Sequence, residues 1–490
     1  QVEIIKNIPH PIGTIEGMRD TGYDFNTALS DIVDNSIDAG ATEIDININM
    51  DEDGVLITVA DNGCGMDKDT LIKGMQYGGG DKDDPKRLGK FGLGLKTAST
   101  AFCRKLSAVT RDRPDGKLLK ATWDLDHVNR VNEWELLLSS ASDFEKNTLD
   151  EVASGSSGTL VVWDKIDRVL KDYVDPTGYN AVQSLAKKTG SFKKHAGMTY
   201  QRYLDPDDNR ARNIKMILNG ENITLWDPFC QQESGEDGTE IVANSDLPIL
   251  LPDGEETHAT IKAFVVPHKS DFSTKEAYDD ANITTDMEGF YIYRENRLIH
   301  HGGFLGMRVP DPHLSLLRIE FSFDHQLDQA FQIDIKKSKI RLEETLYEHI
   351  KNQFLPAPLN AADQRYRGKN KKAVFEKAGS AHERSNRAIS RQEKDLKISK
   401  ITVLDEGSGE IEVENRGGTV RLNIEILDSG DNDEIVVKPV ENLKDGVLWS
   451  TAIIDEHHAV LLNTGHEFYN KVYVPNLSEG VVVQGMDSLL

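Results

Sequence analysis

The chain has 490 residues, 38% of them hydrophobic, with a net charge of −25 and a pI near 5.0. That length calls for more than one domain, and the acidity means that any contact with nucleic acid needs a local basic patch. No apolar run approaches the roughly 18 residues of a membrane span, no signal peptide stands out, and Cys64, Cys103 and Cys230 give neither a disulfide framework nor a zinc pattern, so a reducing cytoplasm is expected.

The fourteen His residues do not cluster at metal-ligand spacing. The chain opens at Gln1 without an initiator Met and closes on "GMDSLL", the start of a helical pattern, so it reads as a piece of a longer chain. Residues 24–39 read as a helix, with Phe25, Ala28, Leu29, Ile32 and Val33 at the 3.6 period and Gly40 as the stop. "EIDININM" then alternates, with Ile44, Ile46, Ile48 and Met50 on one face. "DEDG" turns the chain and "VLITVAD" returns as a second strand. Glycines recur from Gly63 to Gly94 in "DNGCGM", "YGGGDK" and "LGKFGLGLK". Residues 95–111 read as helix then strand, "GTLVVWDKI" at 158–166 as a buried strand, and 178–198 as a helix closing the first domain.

A second α+β unit is expected over 199–356, with strands in "IKMILNG", "TIKAFVVP", "GFYIYRENRLI" and "LLRIEFSF" and a helix at 342–354. Over 365–400 the charge inverts, with twelve basic residues against four acidic ones. In so acidic a chain this basic segment, 357–400, is either a solvated helical linker or a DNA contact. Residues 401–490 read as a β-rich third unit.

Three short motifs carry the chemistry. Asp31 and Asn35 are spaced i, i+4, so they stack on one helical face at the edge of the apolar stripe. The amide oxygen of Asn35 suits a hard cation that also takes phosphate oxygens, and the carboxylate of Asp31 can accept a proton from an attacking water. Asp61, at a strand end, can accept from an exocyclic amine, while Gly63 and Gly65 permit close approach of backbone and ligand. In "GKFGLGLK", Gly89, Gly92 and Gly94 can turn backbone amides toward phosphates, with Lys96 adding a charge. This is neither the Rossmann nor the Walker spacing.

The order of these motifs, followed by "GT" at 158–159, resembles the GHKL ATPases over about residues 1–190. The resemblance implies an α+β chain: an N-terminal Bergerat-fold ATPase sandwich (1–198), a transducer-like S5-type second domain and a β-rich C-terminal domain. It implies ATP and Mg²⁺ as ligands, with Asp31 as base and Asn35 on the metal. Asp61 would read the adenine amine, beside Gly63, Gly65, Met66 and Thr159. The loop 76–96 would be the ATP lid, with Gly89, Lys90, Phe91, Gly92, Leu93, Gly94 and Lys96 on the nucleotide. "ALSDIVDNSIDAGATEI" and "GFYIYRENRLI" are similar to MutL and MORC segments. "FQIDIKKSKIRL" resembles the segment that inserts a lysine against the γ-phosphate; Lys337 fits that role best and Lys339 second. Where relatives usually carry Glu, this chain has Asp31, whose carboxylate stands about 1.5 Å further back. Slow hydrolysis or a repositioned base would follow.

The resemblance implies an ATP-gated clamp that dimerises with ATP, in DNA transactions such as anti-phage defence or repair, alongside a nuclease or helicase partner and with no membrane role. Residues 365–400 are where DNA is expected, if a partner protein does not take their place. Two rival readings are a chaperone-like ATPase acting on proteins and a nucleotide-responsive scaffold that barely hydrolyses. Histidine kinases are disfavoured because no helix with a phospho-accepting His precedes the domain. "DEHHA" at 455–459 faintly resembles a MutL endonuclease motif, but the acidic residues that should follow are missing.

Overall fold

The computed structural model describes residues 9–20, 22–51, 54–78, 86–88, 94–235, 237–250, 256–328, 332–333, 340–341, 344–393, 400–405, 408–415, 418–427, 436–441, 443, 447–454, 457–477 and 480–490. Two compact units divide the chain, residues 1–363 and 364–490.

After α1 (Pro11–Arg19), helix α2 (Phe25–Asp38) starts where Asp24 caps it, its Oδ2 accepting from the amides of Asn26 and Thr27 at 3.0 and 3.2 Å. Such a cap is worth about 1 kcal/mol. The chain leaves the helix through Gly40, whose φ of +82° suits glycine. Strands β1 (Glu43–Asp51) and β2 (Gly54–Asp61) form the expected hairpin, Ile44 pairing with Asp61 and Asp51 with Gly54. Ile44, Ile46 and Ile48 are buried, and Met50 is half-buried. Slipping the register by one residue would turn all of them to the other face.

Helices α3 (Lys68–Met75) and α4 (Gly94–Thr100) precede β3 (Cys103–Arg111) and β4 (Leu119–Asp124). Next come α5 (Leu125–Val131), β5 (Leu137–Ser139), α6 (Asp143–Ala153), β6 (Gly158–Ile166), α7 (Tyr179–Thr199) and α8 (Gln201–Leu204). The stretch "IKMILNG" supplies β7 (Lys215–Leu218), followed by β8 (Glu221–Asn222). By its place after residue 198, "IKMILNG" is expected in the second α+β unit. It instead pairs in parallel with β1, Glu43 opposite Lys215, and extends the first sheet. That sheet has the order β5-β4-β3-β6-β2-β1-β7-β8. Its main core packs α2, α4 and α7 against β1 and β3, while Leu149 and Ala153 of α6 cover Ala60, Val109, Leu160 and Val162.

A second, five-stranded sheet holds β9 (Glu240–Leu250), β10 (Glu256–Val265), β11 (Gly289–Arg294), β12 (Arg297–His301) and β13 (Leu317–Phe323), in the order β12-β11-β13-β10-β9. Glu295 and Asn296 join β11 to β12 with φ of 47° and 67°, the two-residue positive-φ turn that suits a tight hairpin. Gln332–Ile333 pairs with Ile340–Arg341. Lys337 and Lys339, between them, lie outside the described residues. The helix expected at 342–354 is present as Glu344–His349, continued by a π-helical turn over Ile350–Phe354.

A long helix covers Pro356–Glu393. In the second unit, Lys400–Asp405, Glu410–Asn415 and Gly418–Asn423 form a meander. Four further strands form a sheet whose central pair is Trp449–Ile454 and His457–Asn463. Within this unit the long helix turns Ala381, His382, Ser385 and Asn386 inward. His382 Nδ1 lies 2.7 Å from Asp487 Oδ2 and its Nε2 3.0 Å from the Tyr469 hydroxyl. Asn386 exchanges two hydrogen bonds with the backbone of Val437. Arg384 and Arg387 stay exposed on the other face. Among the described residues, no helix is long and apolar enough to cross a membrane.

One buried acid, Glu288, directly before β11 makes a test of this packing. Glu288 Oε1 accepts from the Asp311 amide at 2.8 Å, while Oε2 has no partner among the described residues. Burial pushes its carboxyl up to about 7, from an ordinary value of 4.5. The folded state then holds this proton more tightly than the unfolded state, so stability falls as pH rises from about 4.5 to 7. Glu288→Gln should show a smaller loss of Tm between pH 5 and pH 8 than the unaltered chain. Parallel losses in thermal melts would contradict this.

Candidate active site

The polar residues of α2 sit along the edge of a helix that is buried on most sides. Asp31 is 8% exposed and Asn35 is exposed, as expected of residues flanking the apolar stripe. The Asn35 side-chain NH₂ donates to the Asp31 carbonyl at 2.8 Å, which leaves its amide oxygen as the outward acceptor. Asp31 Oδ2 lies 3.2 Å from where a Cβ on Gly94 would stand, so the first residue of α4 meets the carboxylate closely. Asp31, Asn35 and Gly94 are therefore brought together. Gly89, Lys90, Phe91, Gly92 and Leu93 lie outside the described residues.

A second cluster forms at the end of β2. Asp61 is 4% exposed. Its Oδ2 accepts from the Ser36 hydroxyl at 2.7 Å and its Oδ1 from the Gly63 amide at 2.9 Å. Burial raises its carboxyl above the ordinary value, against the hydrogen bonds from Ser36, Gly63 and Thr159 that lower it. A carboxylate has about four lone-pair sites, so further acceptor capacity remains for a donor such as an exocyclic amine. Ser36 follows Asn35 directly, so one helical turn serves both clusters.

The glycine turn is shaped by close backbone crossings. The Cys64 amide donates to the Ala39 carbonyl at 2.8 Å, and a Cβ on Gly63 would stand 2.9 Å from Ala39 Cβ. At Gly65, φ is +65° and a Cβ would stand 1.9 Å from the Arg111 carbonyl oxygen. Next to it, the Met66 amide donates to Thr110 Oγ1 at 2.9 Å. Thr110 Oγ1 in turn donates to the Gly158 carbonyl at 3.0 Å and lies 3.1 Å from Thr159 Oγ1. Thr159 is thus tied to the same floor as Gly65 and Met66, since β6 pairs it directly with Asp61.

Lys96, implied by the resemblance to contact the phosphates, stands in the first turn of α4 and is largely buried. It is 3% exposed and its ammonium donates to the Gly74 carbonyl at 2.9 Å, with burial drawing its pKa down to about 8. Ser36, Thr110 and Asp34 are the polar groups the sequence reading passed over. Ser36 carried a usable signal, because a hydroxyl one residue past Asn35 lies on the flank that faces β2. Asp34 is fully buried and accepts at Oδ1 from Arg297 Nε at 2.6 Å and from the Tyr200 hydroxyl at 2.8 Å.

Among the described residues, no group of three or more His, Cys, Asp or Glu side chains could hold a metal. The donor set on α2, one outward amide oxygen beside a carboxylate, fits Mg²⁺ in its usual protein role. Mg²⁺ is commonly held by one or two side chains, with phosphate oxygens and waters completing six ligands.

A helix-borne acid and amide thus stand beside a strand-end carboxylate and a glycine turn. Residues 23–159 match the family described as histidine kinase-, DNA gyrase B- and HSP90-like ATPase, and the chain carries a domain of this GHKL family. ATPase MORC2B of Mus musculus is 40% identical over 89 residues, 17% of this chain and 9% of that one. Protein MICRORCHIDIA 4 of Arabidopsis thaliana is 24% identical over 332 residues, 56% of this chain and 39% of its own. The chaperone protein HtpG of Idiomarina loihiensis is 24% identical over 186 residues, 35% of this chain and 25% of its own. The chain therefore spans well under half of the length of each of these relatives. The solved N-terminal domain of a DNA repair protein aligns over 73% of this chain and 99% of its own at 16% identity, with a TM-score of 0.38.

Two substitutions probe the site. Gly65→Ala places a side chain on the Arg111 carbonyl at a positive φ and should lower stability by about 1–3 kcal/mol, a shift read in thermal melts. Asp61→Asn keeps the shape and can still engage Ser36 and Gly63. It should fold with unchanged or higher Tm near pH 7, because no buried charge remains, while ATP affinity drops at least about tenfold in calorimetry, as expected when a buried polar partner is lost. Unchanged ATP affinity would remove Asp61 from the site.

Proposed function

We propose that the chain is a cytoplasmic, Mg²⁺-dependent ATPase of the MutL/MORC-like kind that works as an ATP-gated clamp. The observation that supports it best is the placement of Asp31 and Asn35 one turn apart beside Gly94, with Asp61 held behind them by Ser36. In this reading Asp61 accepts a hydrogen bond from the adenine amine, on a floor made by Gly65, Met66 and Thr159. Asn35 offers its amide oxygen to the metal that arrives with the phosphates. Bound there, Mg²⁺ would supply charge neutralisation at the phosphate oxygens. Asp31 accepts a proton from the water that attacks the γ-phosphorus.

Asp31 is shorter than the Glu usual in relatives, and its Oδ2 already lies close against Gly94. The reach of the acid is therefore set by how far the start of α4 stands from α2. Lys337, with Lys339 second, would come from the second α+β unit to the γ-phosphate, so that closing the two parts depends on the terminal phosphate. ATP-dependent dimerisation would follow as a population shift toward the closed state. DNA is the target favoured here, because the exposed Arg384 and Arg387 belong to the one strongly basic stretch of an acidic chain. A role in anti-phage defence or repair, with a nuclease or helicase partner, is consistent with this reading. The likeness to HtpG supports a second reading, an ATPase acting on proteins.

Asp31→Ala should retain ATP binding and lose at least about 100-fold in turnover, the usual share of a general base. Normal turnover in steady-state assays would remove Asp31 from the chemistry. Duplex DNA should stimulate turnover, with the stimulation fading steeply with salt and weakened by Arg384→Glu with Arg387→Glu. Normal basal turnover with no response to DNA would favour the protein-directed reading.

A further inference from the structure

The hairpin of β11 and β12 reaches the candidate site from the second sheet through two arginines. Arg297 and Asp34 form an ion pair whose side chains are 5% and 1% exposed. Tyr200 closes over this pair: its hydroxyl lies 2.8 Å from Asp34 Oδ1 and 2.9 Å from the Ser30 carbonyl, and its ring centroid is 5.8 Å from the guanidinium carbon. Asp34 stands one turn after Asp31 and directly before Asn35. The negative charges of Asp34 and Asp31 both help to hold Arg297 protonated, against its burial.

Arg294, on the same hairpin, grips Asp328 with two hydrogen bonds of 2.6 and 2.7 Å. Its remaining nitrogen donates to the Arg87 carbonyl at 2.9 Å. The next residue, Leu88, donates its amide to Asp38 Oδ1 at 2.9 Å, back on α2. Helix α2, the hairpin and the segment 86–88 are thus joined in a closed ring of contacts. Moving any one of the three strains the other two.

We propose that Arg297 is a positioning residue for ATP hydrolysis: through Asp34 it fixes the helical turn that carries Asp31 and Asn35, so that the second sheet sets the alignment of the acid. This rests on the reading of the chain as an ATPase. The pair is suited to the task because the planar guanidinium is held in two directions at once, Nε donating to Asp34 Oδ1 at 2.6 Å and Nη1 to the Leu298 carbonyl at 3.2 Å, an arrangement of donors that a lysine does not reproduce. Small displacements matter here, since an error of about 1 Å in a reacting group can cost about 100-fold in rate.

The test compares the full-length chain with Arg297→Lys, measuring ATP affinity by calorimetry and turnover per nucleotide-binding site. The substitution should leave ATP affinity within about threefold and lower kcat by about tenfold to 100-fold, the cost of a misplaced group. A purely structural role would lower Tm and the number of binding sites but leave turnover per site unchanged, which would overturn the proposal. Hydrogen exchange on the unaltered chain decides the matter if Arg297→Lys does not fold. Amides of residues 293–298 should gain protection together with those of α2 when a non-hydrolysable ATP analogue binds with Mg²⁺. Protection confined to α2 would overturn the proposal while leaving the ATPase reading intact. If the unaltered chain does not bind ATP at all, the ATPase reading itself falls, and this proposal with it.

Discussion

Burying carboxylates on one helix is the constraint around which this site is organised. Helix α2 carries Asp31, Asp34 and Asp38 within eight residues, and Asp31 and Asp34 are buried. An unpartnered buried carboxylate is costly, and removing one member of a buried pair costs about 3–5 kcal/mol. Each acid draws its neighbours from a different part of the fold. Asp34 takes Arg297 and Tyr200, Asp38 takes the Leu88 amide, and Asp31 faces Gly94. The need to satisfy one short helix thus ties the first sheet, the second sheet and the start of α4 to the same few ångströms.

The division of labour among polar groups follows from burial. Asn35, at the exposed edge, keeps an acceptor outward. Asp61, deep at the strand end, is held in one orientation by Ser36 and Gly63, so its remaining acceptor capacity points to a fixed place. Preorganised groups of this kind need no rearrangement when a ligand arrives. The glycine turn contributes by its lack of side chain: at Gly65 the Arg111 carbonyl occupies the space a Cβ would need.

Much of this was legible in the residues. Alternation in "EIDININM" set which face of β1 is buried, and the 3.6 period marked α2, because both patterns report burial directly. Asp31 and Asn35 stood out because their i, i+4 spacing places them on one helical face, and Asp61 and Gly65 because they mark a strand end and the glycine turn that follows it. What stayed hidden depends on distant pairing. Nothing local in "IKMILNG" says that it lies in parallel beside β1, more than 160 residues earlier. No local motif marks Asp34, because its partner Arg297 lies 263 residues away. That Lys96 is buried with its ammonium on the Gly74 carbonyl likewise follows from packing that no local pattern shows. The basic segment read as solvated or DNA-facing throughout, yet His382 and Asn386 within it are core residues of the C-terminal unit.

In the proposed reading, the polar edge of α2 and the end of β2 together form one Mg²⁺–ATP site. A crystal structure of the full chain with a non-hydrolysable ATP analogue and Mg²⁺ tests it most directly. The adenine amine is expected within hydrogen-bond distance of Asp61, the metal on the Asn35 amide oxygen and the terminal phosphate facing Asp31. Nucleotide bound elsewhere, or bound here with neither Asp61 nor Asn35 in contact, would contradict it.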